Sequence, residues 1–488
     1  MGQLSIYFGV ATEALALLLV PLVVARRKEP SSTAAWILAL VFLPVVGATL
    51  FLLFGRDRVR LPAQWKRDAD RVLELRQRAR PSWEPLPVAE SSALAEAEPV
   101  EREIFRIAAA LAGAEPTAGN EVELLLDGDA TYEAIGRAID GAKVQVHAEY
   151  YLIRADATAD WFRDRLIEAA RRGVEVKLLV DGYGSFWLKK RWLKELREAG
   201  VEVQVFLPAR LLLFQPMNLR NHRKIVVVDG EVAFSGGINI GDEYKGKFGP
   251  WRDAHMAIRG PAVVQLRAVF VQDWHFATGK EPPRRLPAPE ATSAKTGDAD
   301  GSSGATVAIV RSGPDIEGSP RETIHRVFFS AITLAKQRVY ITTPYFIPDR
   351  SIVVALQTAA LRGVVVRLLF PSKSNHKFVF QAGRSFYEEL LEAGVEIYEY
   401  GPGMIHAKTM VVDGRVALVG SANMDLRSFR LNFEVHAVIR DAAVARELTR
   451  VFEADLAVSE RIELDRFRQR PRPMRVLEGA ARLLSPLM

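Results

Sequence analysis

The chain contains one order of segments twice, and this duplication constrains its fold more than any other feature. Between residues 144 and 206, strand-like segments alternate with amphipathic helices that end in glycine, and the same order returns between residues 338 and 400. The helix-ending glycines recur at nearly constant spacing, Gly173 with Gly363 and Gly200 with Gly394. Alternating strands and helices indicate an α/β architecture, and the spacing indicates two duplicated halves. Each glycine is predicted to follow its helix with a positive φ.

The duplicated halves lie within a longer chain whose other segments differ in composition. The stretch between the halves is rich in proline, glycine, serine and alanine, which is typical of a flexible linker. The predicted segments are a membrane anchor (1–55), a juxtamembrane helix and linker (56–120), the first half (121–277), the flexible linker (278–305), the second half (306–465) and an amphipathic C-terminal tail (466–488).

The N-terminal residues are strongly apolar. Residues 34–54, AAWILALVFLPVVGATLFLLF, carry no charge. About 20 apolar residues span the hydrocarbon layer of a bilayer, so this stretch predicts a transmembrane helix. Residues 4–25 are a weaker candidate because they contain Glu13. Together they predict a transmembrane helical hairpin in the cell (cytoplasmic) membrane, and the Lys and Arg residues after the second span favour a cytoplasmic catalytic body.

Composition narrows the possible chemistry. The chain has no cysteine, which excludes disulfides, thiolate nucleophiles and cysteine-ligated zinc. The formal net charge is +6 at pH 7. A positive excess suits an anionic partner, either nucleic acid or the negatively charged face of a bilayer.

Each half contains one copy of a polar motif that includes an apolar run. The first copy is NHRKIVVVDG and the second is IHAKTMVVDG. In both, histidine and lysine are two residues apart and therefore lie on the same face of a strand. The aspartate precedes a glycine and predicts a tight turn into a second strand. The motif residues are His222, Lys224 and Asp229 in the first copy and His406, Lys408 and Asp413 in the second.

The strand after each turn ends in small residues, FSGGINI in the first half and LVGSANM in the second. Gly237 and Ser421 in these stretches are predicted to let a ligand approach the backbone closely. Asn239 follows His222, and Asn423 follows His406, by the same number of residues. A side-chain amide at that position can donate a hydrogen bond to an anion.

These residue types suit the transfer of a phosphodiester. Two lysines neutralise the phosphate without requiring a metal ion. A neutral imidazole can attack phosphorus and form a phosphohistidine, and a protonated imidazole can give its proton to the leaving alkoxide. We therefore expect the two motifs to face each other across one site. An acidic residue beside each imidazole would fix its tautomer. One such motif alone is more often an ordinary strand, but two matched copies argue against that interpretation.

The motif pair resembles the paired HKD motifs of the phospholipase D superfamily, and the chain is most similar to its bacterial cardiolipin synthase branch. The resemblance covers nearly the whole chain through EPSSTAAWILALVFLPVVG, EYYLI, RNHRKIVVVDG, WRDAHMAIRGPAV, TPYFIPD, LLFPSKS, HAKTMVVDG and VGSANMDLRSFRLNFE. It implies an α/β fold of two pseudo-symmetric phospholipase D-like α/β/α sandwich halves with mixed sheets, preceded by the transmembrane hairpin.

The resemblance also implies roles for the histidines and the phosphate-binding residues. His222 and His406 would be the nucleophile and the general acid, and analogy with the first motif of the family favours His222 as the nucleophile. The groups that would hold the phosphate oxygens are Lys224, Lys408, Asn239 and Asn423.

In the family, an acid beyond each motif orients the histidine. By position these acids are Asp253, 31 residues after His222, and Glu434, 28 residues after His406. The motif aspartates are expected to support the turn and the lysine. Other matched residues have open interpretations: Tyr150 and Tyr345 as pocket or core aromatics, and His255 and His436 as structural residues.

The predicted function is that of a membrane-anchored phosphatidyltransferase, a cardiolipin synthase that condenses two phosphatidylglycerols and releases glycerol. Both steps exchange one phosphodiester for another, so no cofactor and no metal are expected. The expected partners are anionic phospholipid and the membrane, without nucleic acid. The alternatives are a phospholipase D that transfers the phosphatidyl group to water, a synthase that uses phosphatidylethanolamine as donor and, more remotely, an HKD nuclease.

Overall fold

The computed structural model of the protein describes residues 18–25, 30–54, 94, 97–112, 115–208, 219–245, 251–279, 304–313 and 322–483. The chain forms two compact units, a smaller one within residues 1–60 and 210–219 and a larger one within residues 61–209 and 220–486. Most of the predicted segment 56–120 and of the predicted linker 278–305 lies outside the described residues.

The smaller unit has two short helices where the sequence predicts one continuous span. They are α1 (Pro30–Phe42) and α2 (Pro44–Phe54), and residues 18–25 are also helical. The break falls at Leu43 because Pro44 has no amide hydrogen and disfavours helical geometry in the residue before it. The Trp36 and Phe51 rings lie 5.4 Å apart, whereas one continuous helix would separate them by about 22 Å. No helix within the residues that the structure describes is both long and apolar enough to cross a membrane.

The larger unit is built around one mixed sheet. The strands of the first half are β1 (Thr117–Leu125), β2 (Gln145–Tyr150), β3 (Glu175–Asp181), β4 (Glu202–Phe206), β5 (Arg220–Asn221), β6 (Lys224–Val228), β7 (Val232–Gly236) and β8 (His255–Arg259). Those of the second half are β9 (Ala305–Ser312), β10 (Arg338–Thr342), β11 (Phe346–Ile347), β12 (Val365–Pro371), β13 (Glu396–Tyr400), β14 (Thr409–Val412), β15 (Val416–Gly420), β16 (Met424–Asp425), β17 (Asn432–Arg440) and β18 (Ser459–Arg461). Strands β11 and β16 form a separate two-stranded sheet.

The sheet passes from one half into the other without interruption. Among the described residues its order is β18-β13-β12-β10-β14-β15-β17-β9-β1-β8-β7-β6-β2-β3-β4. Apart from β18 at one end, the order is symmetrical about the antiparallel pair β9–β1, in which Asn120 stands opposite Ala305. Strands β2, β3 and β4 pair in parallel, as do β10, β12 and β13, and the pairs between these groups are antiparallel. The predicted α/β fold with a mixed sheet is confirmed, and the halves join edge to edge.

Helices cover both faces of this sheet. In chain order they are α3 (Pro99–Ala112), α4 (Gly128–Asp140), α5 (Ala157–Arg171), α6 (Lys190–Glu198), α7 (Ala262–Thr278), α8 (Thr323–Leu334), α9 (Arg350–Leu361), α10 (Lys377–Arg384), α11 (Tyr387–Glu392), α12 (Leu426–Arg430), α13 (Ala442–Ala457), α14 (Leu464–Arg468) and α15 (Arg472–Leu483). One face packs against α4, α5 and α6 in the first half and α3, α8 and α9 in the second, and the other face against α7 and α13.

The apolar run of the first motif is explained by this arrangement. In β6, Ile225 and Val227 pack towards α7, whereas Val226 and Val228 pack towards α4 to α6. A strand that is buried on both faces needs a continuous apolar sequence instead of an alternating one. Helix α3 lies within the predicted segment 56–120, and Ile104 and its neighbours on one helix face enter the core of the second half.

Local turn geometry agrees with the sequence. The predicted positive φ at the four helix-ending glycines is confirmed, with 89° at Gly173, 92° at Gly200, 87° at Gly363 and 90° at Gly394. Asp229 and Asp413 take φ values of 54° and 52°, and the glycine after each is also in the left-handed region. The Asp-Gly turns are therefore confirmed.

Candidate active site

The two polar motifs come together just before strands β6 and β14. The amide N–H of each histidine donates to a carbonyl of the other half, His222 to Phe433 at 2.9 Å and His406 to Arg252 at 2.6 Å. The pairing of β5 with β17 and a bridge between Arg252 and Ile405 extend these contacts. The main chains of both halves therefore hold the two histidines in one site.

Each imidazole contacts a carboxylate of the opposite half. His222 Nδ1 lies 3.0 Å from Glu434 Oε2, and His406 Nδ1 lies 2.7 Å from Asp253 Oδ2. Sequence order suggests that Asp253 binds His222 and that Glu434 binds His406. The structure has the opposite pairs. The reason is the backbone pairing, since each acid directly follows the residue whose carbonyl binds the histidine of the other half.

The carboxylate contacts define which imidazole nitrogen is available. A carboxylate accepts the Nδ1 proton and leaves a lone pair on Nε2. At His222 the carboxylate is itself held, because Ser421 Oγ donates to Glu434 Oε2 at 2.5 Å and Asn432 donates to its Oε1 at 3.1 Å. The carbonyl oxygen of Ser421 also lies 3.1 Å from His222 Nδ1. The ring orientation of His222 is therefore determined by several fixed groups.

Burial sets the protonation states of the four central side chains. It lowers the pKa of His222 to about 4 and the pKa of His406 to about 3, although the carboxylates beside them oppose the shift. It also lowers the pKa of Lys224 to about 7 and the pKa of Lys408 to about 8. The ammonium of Lys408 contributes to the shift at His222, and that of Lys224 to the shift at His406. The charges of both halves therefore act within one site, where both imidazoles are neutral at pH 7.

The two lysines lie against their own histidines. Lys224 Nζ donates to the carbonyl of His222 at 2.5 Å. Lys408 Nζ donates to the carbonyl of His406 and lies 3.0 Å from its Nδ1. Both ammonium groups are almost fully buried, so an anion that enters the site compensates for their lost hydration. Within the described ranges, no group of three or more His, Cys, Asp or Glu side chains is arranged to hold a metal ion.

The motif aspartates lie at the far ends of their strands. Asp229 accepts hydrogen bonds from the amide N–H groups of Lys143, Val144 and Gln145, and Asp413 from those of Lys336, Gln337 and Arg338. Five residues of extended strand place Asp229 about 16 Å from Lys224. The expectation that these aspartates support the lysines is wrong. They tie each turn to the start of β2 or β10 instead.

The asparagine and the glycine after the first turn have protein partners. The Asn239 amide donates to the hydroxyl of Tyr244 at 2.7 Å and accepts from the amide N–H of Leu152 at 3.3 Å. Gly237 lies against the Asp253 carboxylate, with which a Cβ at this position would clash. The missing side chain therefore makes room for the Asp253 carboxylate.

The second half differs at the equivalent positions. Asn423 donates its main-chain N–H to Ser428, and its Oδ1 has no hydrogen-bond partner among the residues that the structure describes. Ser421 occupies the position of Gly237 and adds the hydroxyl that binds Glu434. Asn423 thus retains an unused polar atom close to the site, whereas Asn239 does not.

Aromatic rings surround the two histidines. The centroid distances are 4.9 Å from Tyr151 to His222, and 5.5 Å from Trp251, 5.9 Å from Tyr244 and 6.2 Å from Tyr345 to His406. Sequence reasoning considered only Tyr345 among these rings. The matched residue that it considered in the first half, Tyr150, packs against Phe162 in the core. Strand alternation is the signal for Tyr151, because neighbouring side chains point to opposite faces.

The two matched histidines outside the motifs are buried. His255 is inaccessible to solvent, and burial lowers its pKa to about 3. His436 accepts from the amide N–H of Ala422 at 3.4 Å, and burial lowers its pKa to about 4. These surroundings suit the structural interpretation of both residues.

Comparison with known proteins identifies the family. Residues 135–274 and 328–456 match the family described as "Cardiolipin synthase, PLD-like domain". The two segments make up more than half of the chain, and each contains one motif. The chain belongs to the cardiolipin synthase family. Residues 15–56 of this cardiolipin synthase family member also match a family described as "Phospholipase_D-nuclease N-terminal".

Curated members of the cardiolipin synthase family are similar over nearly the whole chain. The cardiolipin synthase of Geobacillus sp. (strain WCH70) is 40% identical over 470 residues, which cover 95% of this chain and 90% of that protein. The major cardiolipin synthase of Bacillus subtilis (strain 168) is 38% identical over 480 residues, which cover 97% of each protein. Among solved structures, phosphatidylserine synthase of Haemophilus influenzae Rd KW20 has a TM-score of 0.59 and 16% identity, covering 79% of this chain and 100% of that chain. This last similarity shows a shared fold.

Proposed function

We propose that the protein is a cardiolipin synthase that joins two phosphatidylglycerols and releases glycerol. Family membership and the full-length similarity to cardiolipin synthases support this reaction. The observation that carries the proposal is the pair of buried, neutral imidazoles, each held at Nδ1 by a carboxylate of the other half. Such a pair supplies a neutral nucleophile and, once the other imidazole has taken up a proton with the substrate, a proton donor on the other side of one phosphodiester.

The first step transfers a phosphatidyl group to the enzyme. Nε2 of neutral His222 attacks the phosphorus of one phosphatidylglycerol, and a P–N bond forms. The bond from phosphorus to the headgroup glycerol breaks, and protonated His406 gives its proton to the leaving oxygen. The bound phosphate raises the pKa of His406 and allows it to carry this proton. The assignment of His222 as the nucleophile and of His406 as the acid follows the analogy with the first motif of the family.

The second step transfers the phosphatidyl group to another lipid. His406, now neutral, takes the proton from a primary hydroxyl of a second phosphatidylglycerol. The hydroxyl oxygen attacks phosphorus, the P–N bond breaks and cardiolipin forms. His222 returns to its neutral state and His406 to its protonated state. The sum is two phosphatidylglycerols converted into one cardiolipin and one glycerol.

The charged side chains act on the phosphate in both steps. Lys224 and Lys408 neutralise its nonbridging oxygens, and the Oδ1 or amide of Asn423 is available for the headgroup. Asp253 and Glu434 keep the Nδ1 protons in place, so that Nε2 faces the substrate. Asn239 has its amide engaged with Tyr244 and acts through the shape of the site.

The smaller unit is proposed to anchor the enzyme in the cytoplasmic membrane as a helical hairpin. Its helices expose large apolar side chains, among them Leu38, Phe42 and Val46. Such an apolar surface is unfavourable in water and favourable in a bilayer. We place the catalytic body on the cytoplasmic side, as the positive-inside rule favours.

The chain lends itself to a test of this placement because it has no cysteine. A single cysteine in place of the exposed Leu361 is expected to react with a membrane-impermeant maleimide only after the cells are lysed. Reaction in intact cells would overturn the cytoplasmic placement.

The reaction itself is tested with the purified full chain in detergent, phosphatidylglycerol as the only lipid and EDTA. Mass spectrometry is expected to find cardiolipin and glycerol. His222→Ala and His406→Ala should each lower cardiolipin formation at least about a thousandfold. Phosphatidic acid as the main product would identify a hydrolase, and cardiolipin that appears only when phosphatidylethanolamine is added would identify a different donor.

A further inference from the structure

Two loops beside the active site carry large exposed aromatic side chains. The first cleft loop, residues 182–189, joins β3 to α6, and the second cleft loop, residues 372–378, leads from β12 into α10. Phe186 and Trp187 in the first loop are 58% and 83% exposed, and Phe378 in the second is 61% exposed. The strands β3 and β12 occupy equivalent places in the two halves, so the loops form a matched pair.

The first cleft loop is hydrogen-bonded to Tyr151, whose ring contacts His222. The Ser185 hydroxyl donates to the carbonyl of Tyr151 at 3.0 Å, and the Tyr151 ring lies 4.9 Å from that of His222. Phe186 and Trp187, at the outer side of the loop, pack edge to face at 5.3 Å and leave most of their surface in solvent. The loop thus extends from the nucleophilic histidine to the molecular surface.

The second cleft loop has the same relationship to the other histidine. The hydroxyl of Tyr345 donates to Asn375 in this loop at 2.8 Å, and its ring lies 5.5 Å from that of His376. The Tyr345 ring also lies 6.2 Å from that of His406. Each loop is therefore attached to one side of the same site.

The loops also share a positive charge. Residues 182–194 and 372–387 contain no aspartate or glutamate. The first loop leads into Lys189 and Lys190, and the second contains Lys373 and Lys377, all of them exposed. Aromatic rings combined with lysines are characteristic of surfaces that meet the interface of an anionic bilayer, where the rings enter the headgroup region and the lysines pair with phosphates.

We propose that the two cleft loops form one docking surface, which seats the active site directly on an anionic phospholipid bilayer. This inference rests on the proposed function, because it explains how a lipid headgroup reaches histidines that are buried. Phe186, Trp187 and Phe378 enter the interface on the two sides of the site, and a substrate lipid passes between them without leaving the bilayer. The lysines provide the charge complementarity, which favours a membrane over an apolar protein partner.

The kinetic test compares two forms of one substrate with the full chain reconstituted in phosphatidylcholine vesicles. Long-chain phosphatidylglycerol is supplied within the bilayer, and dihexanoyl phosphatidylglycerol is supplied as monomers in water. The triple variant Phe186→Ser/Trp187→Ser/Phe378→Ser is expected to lose at least about tenfold in rate on the bilayer substrate, because its rings no longer enter the membrane, and to stay within about twofold on the monomeric substrate. Equal losses on both substrates, or no loss on the bilayer substrate, would overturn the proposal.

A matched control comes from the end of β12 that is opposite to the second cleft loop. Leu361, at the end of α9 and before β12, is 75% exposed but lies away from the loops. Leu361→Ser should leave the rates on both substrates unchanged. A loss in this variant similar to that of the triple variant would also overturn the proposal, because the effect would then follow from surface apolarity alone.

A second measurement reports docking without catalysis. Trp187 fluorescence, obtained as the difference between the wild type and Trp187→Phe, is expected to be quenched by brominated lipids in vesicles that contain phosphatidylglycerol. Replacing the four lysines by glutamine, or raising the salt concentration, should weaken this quenching. Absence of quenching would refute the docking surface. Quenching in a protein that makes no cardiolipin would refute the proposed function and leave the docking surface standing.

Discussion

Asp253 and His406 belong to different halves of the chain, yet Asp253 Oδ2 lies 2.7 Å from His406 Nδ1. Glu434 and His222 form the reciprocal pair at 3.0 Å. Neither half therefore contains a complete pair of imidazole and acid. The duplication builds one site from two incomplete copies, and the different tasks proposed for the two histidines require the copies to differ.

The division of tasks between the histidines predicts which variant accumulates an intermediate. A phosphatidyl ester of p-nitrophenol has a leaving group that needs no proton, so the first step proceeds without a general acid. His406→Ala is expected to release about one p-nitrophenol per enzyme and then stop, with a phosphatidyl group on His222, because no base activates the acceptor. Rapid mixing and mass spectrometry of the acid-sensitive adduct measure this.

The controls for this experiment are the reciprocal variant and the positioning acid. His222→Ala should show no burst of p-nitrophenol. Asp253→Asn should behave as a milder form of His406→Ala, slowed about 10- to 100-fold in acceptor transfer. A burst in His222→Ala and none in His406→Ala would reverse the assignment of nucleophile and acid.

The buried lysines predict an alkaline limit to activity. Their pKa values of about 7 and 8 belong to the free enzyme, which is the state that kcat/KM reports. If both ammonium groups neutralise the phosphate, kcat/KM should fall as the pH rises from about 7 to above 8. Because His406, with a pKa of about 3 in the free enzyme, must take up a proton with the substrate, kcat/KM should also fall about tenfold per pH unit above pH 4, so the lysines are expected to appear as a steeper fall above pH 7. Below about pH 4, protonation of His222 limits kcat/KM. Measurement on monomeric dihexanoyl phosphatidylglycerol avoids effects of pH on the bilayer.

Lys224→Arg isolates the contribution of one lysine to that limit. Arginine stays charged at every accessible pH, so only the pKa of Lys408 then limits the alkaline side. The steeper fall is expected to begin about one pH unit higher than in the wild type, although the larger side chain lowers the rate at every pH. A variant profile that steepens over the wild-type range would contradict the role given to Lys224.

The motif aspartates are expected to act on stability. Asp229 has a positive φ and accepts three main-chain hydrogen bonds. Asp229→Ala should lower the free energy of unfolding by about 2 to 4 kcal/mol, and Asp229→Asn by about 1 kcal/mol, because asparagine keeps one acceptor and tolerates this backbone. Urea unfolding measures the loss, and kcat per folded molecule should stay within about twofold of the wild type. A stable Asp229→Asn enzyme without turnover would show that Asp229 takes part in the reaction.

These results separate what the sequence predicts from what it does not. The positive φ at Gly173 and the turn at Asp229 are local, since a helix end or a hairpin demands a particular residue at one position. The exchange of Asp253 and Glu434 is not local. Two copies with similar spacing permit either pairing, and only the backbone contacts from His222 to Phe433 and from His406 to Arg252 decide between them.

The N-terminal span shows a different limit. Residues 34–54 are apolar throughout, and composition alone predicts one helix. Pro44 within the run was compatible with that prediction, because membrane helices tolerate proline. Whether a proline bends or ends a helix depends on what packs near the break. Here Trp36, before the break, contacts Phe51, after it.

The buried histidine of β8 predicts acid sensitivity of the fold. Neither ring nitrogen of His255 has a hydrogen-bond partner within the described part of the chain, and its pKa falls to about 3. In the unfolded chain its pKa is about 6.5, so between about pH 6.5 and pH 3 the ring is protonated in the unfolded state and neutral in the folded state. The stability contributed by the neutral ring is complete above pH 6.5 and is lost as the pH falls towards 3, with about 2 kcal/mol lost at pH 5. The free energy of unfolding of His255→Leu, measured in urea, should therefore rise by about 2 kcal/mol relative to that of the wild type when the pH is lowered from 7.5 to 5. If the difference between the two proteins is the same at both pH values, this origin of the acid sensitivity is contradicted.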